Sequence, residues 1–163
     1  MIFLKEEFQT QMPTHYAGTE EERRALDVFV KLMRAAQSVA DRTSAPMAAA
    51  GLTWSQFGVL ETLYHLGPQM PSHLAEKHLK SANNFTVVID NLEKQGLVRR
   101  ERDTPDRRAV RVHLTDAGRE RIERALPEHV RAVVADMEVL TPEEQEQLGA
   151  LLRRLGRQEK PGV

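Results

Sequence analysis

The segment between Ser81 and Thr115 constrains the fold most, because its apolar pattern changes from a helical to a strand period within a few residues. Apolar residues at three- and four-residue spacing predict a helix that Ser81 caps and Gly96 ends. The buried stripe of this helix is expected to consist of Phe85, Val88, Ile89 and Leu92. Two short runs follow, LVRRER and AVRVHLT, separated by DTPDRR, whose proline and charged residues are typical of a turn. The segment is therefore predicted to form a helix followed by a β-hairpin with a basic tip.

The chain before this segment is predicted to be helical from residue 20. Residues 1–19 show no sustained period and are interpreted as an arm of uncertain order. Apolar spacing from Glu20 predicts a helix to about Ala45, before Pro46, that is about 40 Å long. Thr53 and Gln56 then have the spacing of a capping box, which predicts a second helix up to Gly67. Pro71 suits the first turn of a third, short helix.

The chain after the hairpin is also predicted to be helical. Thr115 is placed to cap a long helix, in which Pro127 is expected to cause a kink or bend. Thr141 and Glu144 form a second capping box ahead of a final helix. That helix is expected to bury Leu148, Leu151, Leu152 and Leu155.

The predicted fold class is mainly α with a small β-hairpin wing. Residues 51–115 form a winged helix-turn-helix in this interpretation, and residues 20–50 and 116–158 form a helical dimerisation region. The dimer is inferred because the outer helices have apolar faces that no sheet of the same chain covers.

Composition and charge exclude several classes of protein. The net charge is −1, which argues against a general polyanion binder, but residues 97–115 carry +3 and leave −4 for the rest. The chain has no cysteine, which excludes disulfides, thiolate metal sites and thiol-based oxidant sensing. It has no apolar run long enough to span a membrane and no signal-peptide pattern, so a cytoplasmic protein is expected.

The outer face of the helix that begins at Ser81 is the candidate for reading DNA. It carries short amides, a hydroxyl and a methyl-bearing side chain, which suit base edges in the major groove, whereas an ordinary surface helix carries more Glu and Lys. The residues expected there are Ser81, Asn83, Asn84, Thr86 and Val87.

The hairpin supplies the candidate arginines. Arg107 and Arg108 follow the turn at its tip, where the narrow minor groove attracts guanidinium groups, and Asp106 is expected to orient an arginine by pairing with it. Arg99, Arg100 and Arg111 on the strands are expected to contact phosphates, although each could equally be a solvated strand charge.

The run SANNFTVVIDNLEKQGLVRRERDTPDRRAVRVHLTDAG resembles the reading helix and wing of the multiple-antibiotic-resistance regulator (MarR) family. Asp106-Arg107-Arg108, six residues before Leu114-Thr115, matches the family's wing signature, and the resemblance covers roughly residues 20–158. It implies that Arg108 enters the minor groove with Asp106 as its supporting acid, and that the terminal helices form the dimer interface. It also implies that a small, often aromatic, ligand binds between that interface and the reading domain and weakens DNA binding.

Other kinds of site find little support in the sequence. The six histidines lack the spacing of a zinc site, and no nucleophile elbow, phosphate loop or dinucleotide turn is present, so neither a metal, a cofactor nor an enzymatic activity is expected. Trp54 and Tyr64 are candidates for lining an aromatic-ligand pocket, but aromatic residues at helix ends more often pack against the core.

The sequence therefore predicts a ligand-responsive repressor that binds double-stranded DNA as a homodimer. Two-fold symmetry predicts a pseudo-palindromic operator with half-site centres about 10 bp apart. The alternative is a winged-helix module for protein–protein interaction without DNA readout. That alternative calls for an apolar or acidic face at residues 83–91, which this sequence lacks.

Overall fold

The structure, a computed structural model, describes residues 16–77, 82–102 and 110–157. Its elements, in chain order, are α1 (Glu20–Thr43), α2 (Ala45–Ala49), α3 (Trp54–Leu66), α4 (Pro71–Lys77), α5 (Ala82–Lys94), β1 (Val98–Arg102), β2 (Val110–Leu114), α6 (Asp116–Met137) and α7 (Pro142–Arg157). The two strands form an antiparallel sheet in which Val98 pairs with Leu114 and Arg102 with Val110. The predicted fold class, mainly α with a β-hairpin wing, is confirmed.

The chain divides into two compact units between Asp41 and Arg42, so the larger part of α1 is described by itself. Thr19 begins that helix with a capping box, in which its backbone N–H donates to Glu22 (2.7 Å) and its hydroxyl accepts from the Glu22 N–H (3.2 Å). Val28, Phe29 and Met33 are more than half exposed. The assignment of residues 20–50 and 116–158 to a dimerisation region stays a prediction.

The first helix ends earlier than the sequence pattern predicts. It was expected to continue to about Ala45, but α1 ends at Thr43, and Pro46 lies in the first turn of the separate short helix α2. Proline is accepted in a first turn because the N–H that it lacks has no partner there in any case. Pro46 therefore starts a new helix instead of following the old one.

The hydrophobic core belongs to the second unit and lies beneath α3, α5 and the hairpin. The capping box at Thr53 is present, with the Thr53 N–H donating to Gln56 (2.9 Å) and the Gln56 N–H to the Thr53 hydroxyl (3.3 Å). The predicted stripe of α5 is confirmed, since Phe85, Ile89 and Leu92 are buried and Val88 is partly buried against the core. The largest fully buried side chains include Met47, Leu60, Leu74, Phe85, Ile89, Leu92, Leu97 and Ile122.

Helix α6 begins where the sequence predicts and continues through its proline. The Thr115 hydroxyl accepts from the Gly118 N–H (3.0 Å), and the helix runs uninterrupted past Pro127 to Met137. The capping box at Thr141 and Glu144 likewise begins α7.

The burial expected of α7 is wrong for the single chain. Its four leucines, which were expected to be buried, are 40–58% exposed, and no residue of this helix is buried. Within the described part of the second unit these leucines stay accessible, so their apolar stripe remains open to a further partner. None of the helices in the described ranges combines the length and apolarity needed to cross a membrane.

Candidate nucleic-acid interface

The reading helix α5 exposes the side opposite its buried stripe. Thr86 and Val87 are both exposed, Val87 to 58%, while Phe85 and Ile89 on the other side lie in the core. Asn83 and Asn84 belong to the first turn of α5, and Ser81 lies outside the described residues. The structure therefore places four of the five predicted major-groove residues on one helix, and it leaves a methyl-bearing side chain on the outer surface.

One face of the hairpin carries Arg99 and Arg111. In an antiparallel pair the residues directly opposite one another share a face, so Arg99, Glu101, Arg111 and His113 lie together. Arg99 Nε donates to Glu101 Oε1 (2.6 Å), and His113 Nε2 lies 3.4 Å from Glu101 Oε2. The hydrogen bond from Arg99 lowers the pKa of the Glu101 carboxyl below its ordinary value. Both arginines are therefore on the face away from the core, where they can reach a phosphate.

Arg100 lies on the opposite face of the same strand. It pairs with Val112, and it shares the core-facing side of the sheet with buried Val98. Its guanidinium binds Asp90 and Glu93 of α5 at 2.6 and 2.5 Å. The structure thus separates Arg100 from Arg99 and Arg111, although all three were predicted to contact phosphates.

The wing tip itself lies outside the described residues. This applies to Asp106, Arg107 and Arg108, whose predicted roles in the minor groove stay predictions. The base of the hairpin is described and is held from both sides. Gln69 exchanges two backbone hydrogen bonds with Val112 (2.8 and 3.2 Å), and the Thr115 N–H donates to the Leu97 carbonyl (3.1 Å).

A cavity of about 550 Å³ lies beside α6, away from the reading helix. Its walls come from the segment of α2 and the following turn and from one side of α6: Pro46, Ala49, Ala50, Gly51, Arg121, Arg124, Ala125 and Glu128. Arg121 Nη1 donates to the Ala50 carbonyl (2.8 Å), which joins the two walls. This cavity combines apolar surface with two guanidinium groups.

Neither Trp54 nor Tyr64 lines that cavity. Trp54 is 53% exposed at the start of α3, with its ring edge-on to His129 (5.9 Å between centroids). Tyr64 packs against the core under the guanidinium of Arg119, which lies 5.5 Å from the ring centroid. Their role as pocket residues stays a prediction, and aromatic side-chain type was the only signal behind it.

The described residues contain no group of three or more metal-ligating side chains. His129, for example, packs against Phe57 (4.8 Å between ring centroids) and has its Nδ1 3.3 Å from the Thr43 carbonyl. This histidine therefore connects three elements of the fold.

Comparison with known proteins agrees with this geometry. The sequence model of the MarR family matches residues 52–110, from two residues before α3 to the first residue of β2. An HTH-type transcriptional regulator of Bacillus subtilis, YkoM, is 36% identical over 137 residues, which cover 84% of this chain and 89% of the relative.

Two solved structures share both fold and sequence with the chain. Sco3205, a MarR family transcriptional regulator from Streptomyces coelicolor in complex with DNA, is 30% identical (TM-score 0.77), and the match covers 89% of this chain and 95% of that one. BpsR from Bordetella bronchiseptica, whose DNA binding is regulated by 6-hydroxynicotinic acid, is 27% identical (TM-score 0.71), and the match covers 79% and 98%. These relatives are transcriptional regulators and not enzymes.

Proposed function

Since this chain belongs to the MarR family of DNA-binding transcriptional regulators, we propose that it is a repressor that binds a pseudo-palindromic operator as a homodimer and is released by a small aromatic ligand. The observation that carries this proposal is the exposed face of α5, which presents Thr86 and Val87 beside a hairpin with outward-facing Arg99 and Arg111. A protein-docking surface in the same place would call for a more apolar centre. The face fits base edges flanked by phosphates.

The reading helix supplies the sequence-specific contacts in this proposal. Asn83 and Asn84 suit adenine, which an amide can bond through two hydrogen bonds, and Val87 suits the methyl group of thymine. Ser81 and Thr86 suit phosphates or base edges near the amino end of the helix. Among the five proposed major-groove residues Val87 is the best supported, because its apolar side chain is exposed without covering any part of the core.

The hairpin supplies the contacts that position the protein on DNA. Arg107 and Arg108 enter the minor groove, with Asp106 holding one guanidinium in place. Arg99 and Arg111 bind phosphates, because the face that they share points away from the core.

We expect the substitution Arg108→Ala to lower operator affinity by about tenfold to a hundredfold, because one minor-groove guanidinium contact is lost. Fluorescence anisotropy with labelled DNA from the region upstream of the chain's own gene measures this change. Arg24→Ala, which removes the same charge from an exposed position at the start of α1, is the matched control and leaves affinity unchanged. An affinity within about twofold of the parent protein, with an unchanged circular dichroism spectrum, contradicts the wing assignment.

The apolar surface that the described residues leave uncovered supports the homodimer. On α7 the leucine stripe is exposed, and on α6 Val130 and Val134 are 49% and 53% exposed. Exposed apolar stripes of this kind mark interfaces, and a two-fold interface buries the same stripe on both molecules. A dimer also presents two reading helices, as a palindromic site requires.

The cavity beside α6 is the site that best suits a releasing ligand. Its alanines and proline suit an aromatic ring, and Arg121 and Arg124 suit a carboxylate or phenolate on that ring. The relative BpsR, regulated by an aromatic acid, supports this ligand class. Because α6 begins against the hairpin at Thr115, a ligand that displaces α6 also displaces the wing.

We expect 6-hydroxynicotinic acid to bind this cavity, and Arg124→Gln to weaken that binding by about tenfold because a charge-assisted hydrogen bond is lost. Isothermal titration calorimetry on the full chain measures both values. Trp54→Ala serves as the comparison, since Trp54 lies outside the cavity and should not alter the affinity. If Trp54→Ala abolishes binding and Arg124→Gln leaves it unchanged, the ligand binds at the aromatic site predicted from sequence.

A further inference from the structure

Arg100 is a basic residue of the wing strand whose side chain points into the protein. Along β1 the side chains alternate, so Arg100 lies on the side of Val98 (2% exposed) and opposite Val112 (0% exposed). Only 27% of its side chain is exposed, compared with 52% for Arg99. An arginine turned toward the core needs partners there.

Those partners are two carboxylates on the reading helix. Glu93 accepts both from the backbone N–H of Arg100 (2.9 Å) and from its Nη1 (2.5 Å), and Asp90 accepts from Nη2 (2.6 Å). Asp90 and Glu93 are three residues apart on α5, so their like charges repel unless a cation lies between them. We call these three residues the Arg100 bridge.

The Arg100 guanidinium is expected to stay ionised throughout the physiological range. Partial burial alone would lower the pKa of the Arg100 guanidinium, but hydrogen bonds to Asp90 and Glu93 outweigh that effect and raise the pKa above its ordinary value. Three hydrogen bonds in fixed directions, one of them from the backbone, hold β1 to α5 with little rotational freedom.

We propose that Arg100 is a positioning residue for DNA recognition: it sets the angle of the wing relative to the reading helix and does not bind a phosphate. This inference rests on the proposed function, in which α5 occupies the major groove while the wing tip occupies the minor groove. The helix and the wing tip can bind DNA at the same time only if the hairpin is held at one angle to α5. A small rotation at Arg100 becomes a larger displacement at the tip.

Neutralising Asp90 or Glu93 gives a test in which positioning and electrostatics predict opposite changes in operator affinity. Asp90→Asn and Glu93→Gln each remove a negative charge near DNA, so charge alone predicts tighter binding. If the bridge positions the wing, operator affinity falls by about tenfold instead, because the wing is no longer held. Tighter binding by both variants overturns the proposal.

Arg100→Lys separates positioning from direct phosphate contact. Lysine keeps the positive charge and binds phosphate well, but its single ammonium cannot reproduce the planar fork that reaches two carboxylates. We expect operator affinity to fall by about tenfold, while the dependence of log K on log salt concentration stays unchanged. Affinity equal to that of the parent protein overturns the proposal. The matched control is Arg131→Lys, at an exposed position of α6 where the guanidinium pairs with the Glu128 carboxylate. This variant leaves affinity unchanged.

A double-variant cycle then identifies the part of the protein through which Arg100 acts. If Arg100 acts through the wing tip, Arg100→Lys costs less than about twofold once Arg108→Ala is present, because the contact that it positions is already gone. If Arg100 contributes independently, the two losses multiply, and the proposal fails. Anisotropy titrations of the full chain with operator DNA supply all four affinities, and circular dichroism confirms that each variant is folded.

The two proposals fail in different ways. Absence of operator binding by the parent protein, or an Arg108→Ala variant with full affinity, contradicts the proposed function. Loss of affinity in Arg108→Ala with no loss in Glu93→Gln and Arg100→Lys leaves the proposed function intact and overturns the role of the bridge.

Discussion

Replacing Gly118 by alanine is expected to destabilise the chain by about 3 kcal/mol, although alanine is the better helix former by about 1 kcal/mol. Gly118 lies in the first turn of α6, where a Cβ would overlap the carbonyl oxygen of Leu97 and come within 2.9 Å of Leu114 Cδ1. The overlap involves backbone, so no side-chain rotation can relieve it. The Leu97 carbonyl is itself held in place, because it accepts the Thr115 N–H (3.1 Å).

The damage should extend to DNA recognition, because this contact lies where α5 turns into β1. Gly96 ends α5 with a positive φ of 70°, and the Thr115 hydroxyl donates to its carbonyl (2.7 Å). If α6 moves away to make room for a methyl group, the base of the wing moves with it. Gly118→Ala should therefore lower operator affinity even at temperatures where the variant is folded.

Urea denaturation followed by circular dichroism measures the free energy of unfolding of this variant. The matched control is Gly149→Ala in α7, where a Cβ has no neighbour within 4 Å, and the change should stabilise the chain by up to about 1 kcal/mol. Gly149 lies about 100° around the helix from Leu148, so it is beside the leucine stripe and not part of it. Equal stability of the Gly118→Ala variant and the parent protein contradicts the close packing of α6 on the Leu97 carbonyl.

Replacing Leu151 and Leu155 together by glutamate is expected to convert the proposed dimer into a monomer. Both leucines are more than half exposed in the single chain, so the charges cost little there, but they would be buried without partners in a two-fold interface. A monomer binds one half-site only, and we expect operator affinity to fall by about a hundredfold or more.

Light scattering after size-exclusion chromatography measures the molar mass, and anisotropy with full and half operators measures the affinity. Ala150→Glu is the control, because Ala150 lies about 200° from Leu148 on the other side of α7. It should leave both mass and affinity unchanged. A double variant that stays dimeric with full operator affinity shows that the α7 stripe is not the interface.

Local signals in the sequence predicted the starts of α3, α6 and α7 and the buried stripe of α5 correctly. In these helices a threonine hydroxyl accepts a hydrogen bond from the backbone N–H three residues later, at Thr53, Thr115 and Thr141. The residue spacing alone is therefore enough to predict the contact. The buried stripe of α5 is similarly local, since residues three and four apart share a helix face. The short helix α2 was missed because proline is compatible with either side of a helix boundary.

Contacts between distant elements were predicted less well. The Arg100 bridge was missed, although strand alternation from Val98 would have placed Arg100 on the buried face. The cavity joins residues 46–51 to residues 121–128, and no local pattern connects segments so far apart. The exposure of α7 could not be read from its periodicity, because a stripe looks the same whether the same chain or a partner covers it.

The contacts of Gln69 and Glu93 also bear on how the wing avoids unwanted association. A two-stranded sheet has two open edges, and open edges are templates for pairing with strands of other molecules. At the base of this hairpin the β2 edge is paired with Gln69 at Val112, and the β1 edge is occupied at Arg100 by the carboxylate of Glu93. The same glutamate that helps hold the wing therefore blocks strand addition, which protects a regulator free of DNA from edge-to-edge aggregation.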